Sequence, residues 1–456
     1  MAKFPRIVAL PLAAALVISA CSGGGATPVP GASGVGGGSA APGGSTAAGG
    51  STEPGGSGGT TAGGTIVVTS LWGGAEQENF QKVLDDFKTK TGITAKYESN
   101  RDNYATVLQT KISGGNPPDV AIIPGIGFLR RFAKDGTIKK ISDLGIDVNS
   151  IQGNYAPGIL DIGSVDGTLY AIMVKFNSKS TFWYRPDKFS AASVQPPKTF
   201  DELKTALSTL KSKGDKPLAL GAKDSWTLTD WFESIYLRQA GPDAYSKLFS
   251  KDGDWTDATV ATAVKSMTDV LNDDNVDGGI KAALGRGFVD GIGQAFSSKP
   301  TADAYYEGGF VGGIITGQVN KTAKLGTDAD WFDFPGFSGD NKAVTIGGDV
   351  IGAFTDKPGV KEFIQYMTTA DSGTVWAKTG AIISPIKAVD QSVYPNDQTK
   401  REAAQVANAS AVKFDGSDLL PSGGPDLGAE LQKAIQGQTV DWASFQSQIQ
   451  TAWQNE

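Results

Sequence analysis

Histidine is missing from all 456 residues, and cysteine occurs once, at Cys21. Without histidine the chain cannot build a Ser-His-Asp or Cys-His nucleophilic centre, nor an imidazole metal site. A single cysteine excludes an internal disulfide, a Cys-type zinc site and a Cys-ligated iron–sulfur cluster. Positive charge is also in short supply: 41 Lys and Arg stand against 48 Asp and Glu, a net charge of −7. That balance argues against nucleic acid as a partner, because broad binding needs basic patches that displace counterions. No glycine-rich nucleotide fingerprint follows a strand, and no segment after the N-terminus is long and apolar enough to span a bilayer. The length predicts two or three folding units, since one core rarely grows past about 250–300 residues.

Glycine, by contrast, is abundant, with 60 residues. Eighteen of them fall in the 43 residues 22–64, most of whose remainder is Ala, Ser, Thr and Pro. Such a segment cannot bury enough apolar surface to offset its ordering entropy, and as a flexible coil it would span about 35–40 Å. Before it, Lys3 and Arg6 precede an apolar run at 7–18, and Ile18-Ser19-Ala20 leads into Cys21. A basic start, a short apolar run and small residues at its end make a secretory signal. The last four residues resemble the lipobox of bacterial lipoproteins, which implies cleavage before Cys21 and lipidation of its sulfur. The expected arrangement is a signal peptide at 1–20 and a disordered tether at 21–64. The protein would then be extracytoplasmic and anchored to the membrane through Cys21, stably so with two or more acyl chains.

The body reads as alternating strands and helices. Residues 66–71 are β-branched and apolar, and Phe80, Val83, Leu84 and Phe87 then mark one face of a helix that Gly92 stops. Residues 93–97 form a second strand, Tyr104, Val107, Leu108 and Ile112 a second helix, and 119–123 a third strand. This order predicts a parallel sheet with both faces covered. Thr199-Phe200-Asp201-Glu202 is a capping box leading into Leu203, Leu207 and Leu210. Leu218-Ala219-Leu220 reads as a strand, 229–240 and 257–272 as helices, 346–354 as a strand, and 426–453 as mostly helical.

Several stretches line up in order with one family. They include Trp72-Gly73-Gly74-Ala75-Glu76, Gly115-Asn116-Pro117-Pro118-Asp119-Val120, Tyr184-Arg185-Pro186-Asp187-Lys188-Phe189 and Tyr306-Glu307-Gly308-Gly309-Phe310. Later come Gly347-Gly348-Asp349, then Trp376-Ala377-Lys378-Thr379-Gly380-Ala381-Ile382-Ile383-Ser384-Pro385 and Phe414-Asp415-Gly416-Ser417-Asp418-Leu419-Leu420-Pro421. The chain resembles the extracytoplasmic solute-binding proteins of carbohydrate ABC importers, most closely their alpha-glucoside-type group. The resemblance implies an α/β, two-lobed periplasmic-binding-protein-like fold, each lobe a mostly parallel sheet flanked by helices. It places one lobe at 65–176 plus 335–380 and the other at 177–334 plus 381–456. It further implies an oligosaccharide held in the inter-lobe cleft and delivered to ABC permease subunits by a monomer that needs no cofactor or metal and catalyses nothing.

A sugar presents hydroxyls that need polar partners and C–H faces that lie well on aromatic rings. By position in the family pattern, the expected ligand contacts are Trp72, Glu76, Asn100, Arg101, Lys175, Trp226, Tyr306, Glu307, Phe310, Asp349 and Asp418. Phe310 stands where the family usually carries Trp, and Lys175 where maltose-type relatives carry an acid. Glu76 could equally complement a helix dipole, Asp418 could cap a helix, and Arg101 could be an exposed loop charge. Trp255, Trp331, Trp376, Trp442 and Trp453 read as core, and Asp119 as a backbone cap. Two rivals remain from composition. A secreted glycoside hydrolase needs only paired carboxylates. A ferric-ion or other metal-binding relative of the two-lobed fold would need clustered ligands such as Tyr305-Tyr306-Glu307.

Overall fold

The computed structural model describes residues 64–456 other than 102, 124, 156–158 and 338–341. The signal segment, Cys21 and nearly all of the tether lie outside the described residues. The strand β1 (Thr65–Ser70) buries Ile66 and Val68 and pairs in parallel with β2 (Thr94–Ser99) and β3 (Val120–Ile122). Helix α1 (Ala75–Thr91) sinks Phe80, Val83, Leu84 and Phe87, the face that the spacing predicts. Gly92 ends it at φ 74°, a left-handed conformation that glycine adopts without a Cβ clash. Helices α2 (Tyr104–Ser113) and α3 (Ile126–Lys134) follow β2 and β3.

The chain continues through a short hairpin, β4 (Ser164–Val165) and β5 (Thr168–Leu169), into β6 (Ala171–Ser178) and β7 (Thr181–Tyr184). The later strands are β8 (Ala304–Tyr306), β9 (Asp330–Asp333), β10 (Val344–Ala353) and β11 (Val412–Phe414). One sheet runs β11-β10-β3-β1-β2, with β6 on β10, and the other runs β8-β7-β9. The first sheet mixes three parallel pairings with two antiparallel ones made by β10. The second departs from the expected parallel sheet, for both of its ladders are antiparallel. Leu218 supplies parallel character there only through isolated bridges to Val276 and Ala304, so 218–220 is not a full strand. Its partners are brought in by distant loops, which local pattern does not reveal.

The capping box holds: Thr199 accepts from the Glu202 N–H while Glu202 reaches back, and the helix Phe200–Ser212 follows. The C-terminal stretch is two helices, Leu427–Ile435 and Trp442–Asn455, parted near Gly437 at φ 73°. Apolar side chains form two principal cores. One joins Ile66 to Phe176 with Ile346 to Ala403, and the other joins Phe182 to Ala343 with Leu427 to Ile449. Ala381, Ile382, Ile383 and Ile386 belong to the first core, although the family pattern draws them into the second lobe. The chain therefore passes between cores after Ser178, near Ala343 and between Leu419 and Leu427. Among the described residues, no helix is long and apolar enough to cross a membrane.

Candidate functional site

A cavity of about 410 Å³ opens beyond the C-terminal ends of β1 and β2; Trp72 on one side belongs to the first core, and Phe288 and Phe310 on the other pack against a smaller apolar cluster around Trp183 and Ile292. Trp72 forms one wall. Its backbone carbonyl accepts from Tyr97 Oη (2.7 Å) and Ser99 Oγ (2.8 Å), which fixes the turn after β1. Its ring meets Phe80 and Trp376 edge-on, at centroid distances of 4.9 and 5.2 Å, so Trp376 is core as expected. Lys175 Nζ lies 4.6 Å from the Trp72 ring centroid, within reach of a cation–π attraction.

Strand pairing decides what surrounds that cation. On β6 and β10 Lys175 stands directly opposite Asp349, where the register shifts between Asp349 and Val350. The Lys175 ammonium is 3.1 Å from Asp349 and 3.5 Å from Glu76. Burial alone would push the lysine's pKa down, but these two carboxylates hold it above its ordinary value. It is therefore a buried cation, not a solvated one. Arg101 hydrogen-bonds to the Gly73 carbonyl at 2.9 Å and lies 5.6 Å from the Phe288 ring, so its guanidinium joins the two walls.

The opposite wall is aromatic. Trp226 starts the helix Trp226–Ala240 and meets Phe288 at 5.2 Å and Phe310 at 6.1 Å, both edge-on. Asp224 steadies this corner by accepting from the Phe288 N–H at 2.8 Å. Behind Trp226, Lys179 Nζ lies 5.4 Å from the ring and bridges Asp230 (2.9 Å) and Asp415. Gly347 makes room for that side chain, since a Cβ there would fall 2.3 Å from Lys179 Cε.

Behind the cavity wall lies a buried carboxyl cluster, of which only Asp418 reaches the cavity. Burial would raise Asp415, yet Lys179 and a hydrogen bond from Ser417 keep it below its ordinary value. Asp230 is pushed up to about 6 by burial, against the pull of Lys179. Glu307 is fully buried and raised well above the carboxylate range by burial and by Asp230. Glu307 and Asp230 face each other as side-chain partners in the interior, and the Gly308 N–H partly offsets the rise at Glu307. Asp418, at the cleft edge, is raised by burial and by the charge on Asp415. Glu233 pins the loop that carries it by accepting from the Gly416 and Ser417 N–H groups at 2.7 and 2.9 Å.

Eight predicted contacts thus line one cavity: Trp72, Glu76, Arg101, Lys175, Trp226, Phe310, Asp349 and Asp418. Three lie elsewhere. Asn100 turns back to donate to Thr69 Oγ1 at 3.2 Å. Tyr306 is buried behind the cleft, donating to the Lys179 carbonyl at 2.5 Å, and Glu307 sits in the acid cluster. Asn177, Lys179, Lys223, Asp224, Phe288 and Asp290 line the cavity without having been singled out. Asp224 stands two residues before Trp226 in the chain. Phe288 carried no signal, because it arrives by tertiary packing on a separate helix. Asp119 is structural as expected, accepting from the Val67 N–H at 2.9 Å and from Thr355 at 2.7 Å.

Residues 73–374 match the family described as bacterial extracellular solute-binding protein. The chain belongs to that family. This solute-binding protein is 32% identical over 79% of its length to the alpha-glucosides-binding periplasmic protein AglE of Rhizobium meliloti (strain 1021), covering 80% of that protein. It is 28% identical over 78% of its length to the osmoprotective compounds-binding protein GgtB of Synechocystis sp. (strain ATCC 27184 / PCC 6803 / Kazusa), covering 84% of it. Among solved structures, a chitin oligosaccharide binding protein superposes with a TM-score of 0.72 at 21% identity, over 86% of this chain and 98% of that one. That likeness establishes the two-lobed α/β fold, and the cavity of the solute-binding protein lies where its two lobes face each other.

Proposed function

We propose that this protein binds an alpha-linked glucoside between its lobes and presents it to the membrane subunits of an ABC importer. The observation that carries the reading is the make-up of the cavity. Aromatic faces at Trp72, Trp226, Phe288 and Phe310 alternate with fixed polar groups at Glu76, Arg101, Lys175, Asp349 and Asp418. Apolar faces suit sugar C–H surfaces, and the oriented charges suit hydroxyls, which can both donate and accept. The relation to AglE favours an alpha-glucoside within that class. The lobes would be 65–176 with roughly 335–403, and 177–334 with the C-terminal helices, which moves the last boundary to follow the packing of Ile382 and Ile383. Cys21 would anchor a monomeric protein at the outer face of the cell membrane, and ligand preference for the closed state would drive lobe closure.

The protein catalyses nothing in this reading. A hydrolase needs one carboxyl as acid and another set to attack or activate water. Here Glu76 and Asp349 are both engaged by Lys175. Isothermal titration against maltose, trehalose, sucrose and longer glucosides should give a Kd near ~1 μM for at least one. Trp226→Ala should weaken it at least about tenfold, the scale of a lost stacking face. No heat from any sugar, with tight binding of an amino acid instead, would overturn the proposal.

A further inference from the structure

Glu402 is ionisable and buried, yet it does not line the cleft. It lies on the helix Asp397–Ala407, which touches both halves of the molecule. Ala403 packs in the first core, while Arg401 pairs with Asp330 and Gln405 donates to Asp333 at 2.8 Å, both on β9 of the second sheet. The Glu402 carboxyl accepts from the Ser178 N–H at 2.8 Å and from Asn177 Nδ2 at 3.1 Å, at the end of β6 where the chain leaves the first core. Asn177 connects it to the cleft, because that side chain also lines the 410 Å³ cavity. With its amide nitrogen committed to Glu402, Asn177 has its amide oxygen to offer a ligand hydroxyl. A second connection runs through Gly309, against which the carboxyl packs so closely that no Cβ fits. The Gly309 N–H donates to the Ser178 carbonyl at 2.9 Å, and the next residue, Phe310, lines the cavity.

Among the described residues, no cation pairs with this carboxyl. On β6, Lys175 is held by Glu76 and Asp349, and Lys179 by Asp230 and Asp415. On its own helix, Lys400 pairs with Asp397 and Arg401 with Asp330. Glu307, two residues before Gly309, belongs to the acid cluster, and Tyr394 is raised by burial and in part by the charge on Glu402. Burial therefore lifts Glu402 to about 7, against its two hydrogen bonds. Resting on the sugar-binding reading above, we propose that Glu402 is a positioning residue that couples sugar binding to uptake of a proton. When the cleft is open, water reaches Asn177, one hydrogen bond from the carboxyl, and favours the charged form. A sugar that displaces this water, under lobes that close over it, leaves the carboxyl dry and favours the neutral form. The neutral acid keeps a carbonyl oxygen for Ser178 and Asn177, so Asn177 stays aimed after the charge is gone. The sugar-bound state then holds more protons than the free one. Affinity is highest in acid and falls as the pH rises through the range of this carboxyl.

The test is isothermal titration of the wild type with maltose, trehalose and sucrose at pH 5, 6, 7 and 8, each in two buffers of different ionisation heat. A sugar that binds should do so at least about tenfold more weakly at pH 8 than at pH 5, the effect of one pKa unit of linkage. Near pH 6 the difference between buffers should show up to about one proton taken up per sugar bound. Glu402→Gln, which keeps the acceptor oxygen, should hold the wild type's pH 5 affinity across the range and take up no proton. A residue that only held the helix in place would change the affinity equally at every pH. Sugar heat without proton uptake in the wild type would overturn the coupling, and that measurement needs no variant. An uptake that Glu402→Gln retains would overturn it as well, and both results leave the cleft reading intact. Silence from every sugar would overturn the cleft reading and the coupling with it.

Discussion

Lys175 shows how a single side chain sets the character of this cleft. It is 8% exposed, stacked on Trp72, and shared between two carboxylates that would otherwise repel each other. Breaking a buried ion pair from one side costs more than the pair contributes, because the surviving charge stays desolvated. Lys175→Met keeps the apolar stem but leaves Glu76 and Asp349 unpaired. The variant should lose about 3 kcal/mol of stability in urea denaturation. Its sugar affinity should fall along with its stability, since neither acid would be held in place by the ammonium. The family pattern singled out this lysine, but its exposure was unreadable: burial depends on β10 bringing Asp349 opposite, from 174 positions along the chain.

Among the elements, β6 is the one on which both lobes depend, because its end leads directly into β7. Glu402, on the helix Asp397–Ala407, accepts from the Ser178 N–H at 2.8 Å and from Asn177 Nδ2 at 3.1 Å, and so clamps that crossing. The contact is close enough that a Cβ on Gly309 would fall 2.0 Å from the carboxyl. Burial raises Glu402 from an ordinary 4.5 to about 7, against those two hydrogen bonds. Between these values the native protein holds a proton that the unfolded chain releases, so this group's stability contribution is greatest below pH 4.5 and declines as pH rises toward 7. Glu402→Gln keeps the acceptor and removes the titration. Relative to that variant, the wild type should lose about 3 kcal/mol between pH 4.5 and 7 in denaturation measured across that range. A constant difference between the two proteins would show that Glu402 does not titrate there.

For the whole molecule, the two cores are the consequential feature. The proposed glucoside would contact residues of both lobes, and its binding should stabilise both. At a hundredfold excess over Kd the gain is about 2.7 kcal/mol. Scanning calorimetry should show the transitions of both lobes moving upward with a glucoside. A shift confined to one transition would place the ligand on a single lobe. Local periodicity was enough to locate α1, its glycine stop and four of the six strands of the first sheet, but not β6 or β11. It could not pair the second sheet, nor show that 381–403 folds back onto the first core, because those are long-range choices.

What the sequence by itself determined is chemistry by exclusion and recognition by order. No histidine and one cysteine rule out whole classes of catalysis, and a run of weak motifs in the right succession identifies the family. Those are properties of composition and succession, which survive without coordinates. Only the tertiary structure decided which charges meet. It turned Lys175 inward, put Lys179 behind Trp226, brought Phe288 to the aromatic wall, and withdrew Tyr306 and Glu307 into the interior. The physical reason is that burial and electrostatic pairing are made between segments far apart in the chain, from 47 residues for Lys179 and Trp226 to 174 for Lys175 and Asp349, and no local pattern encodes the distance between them.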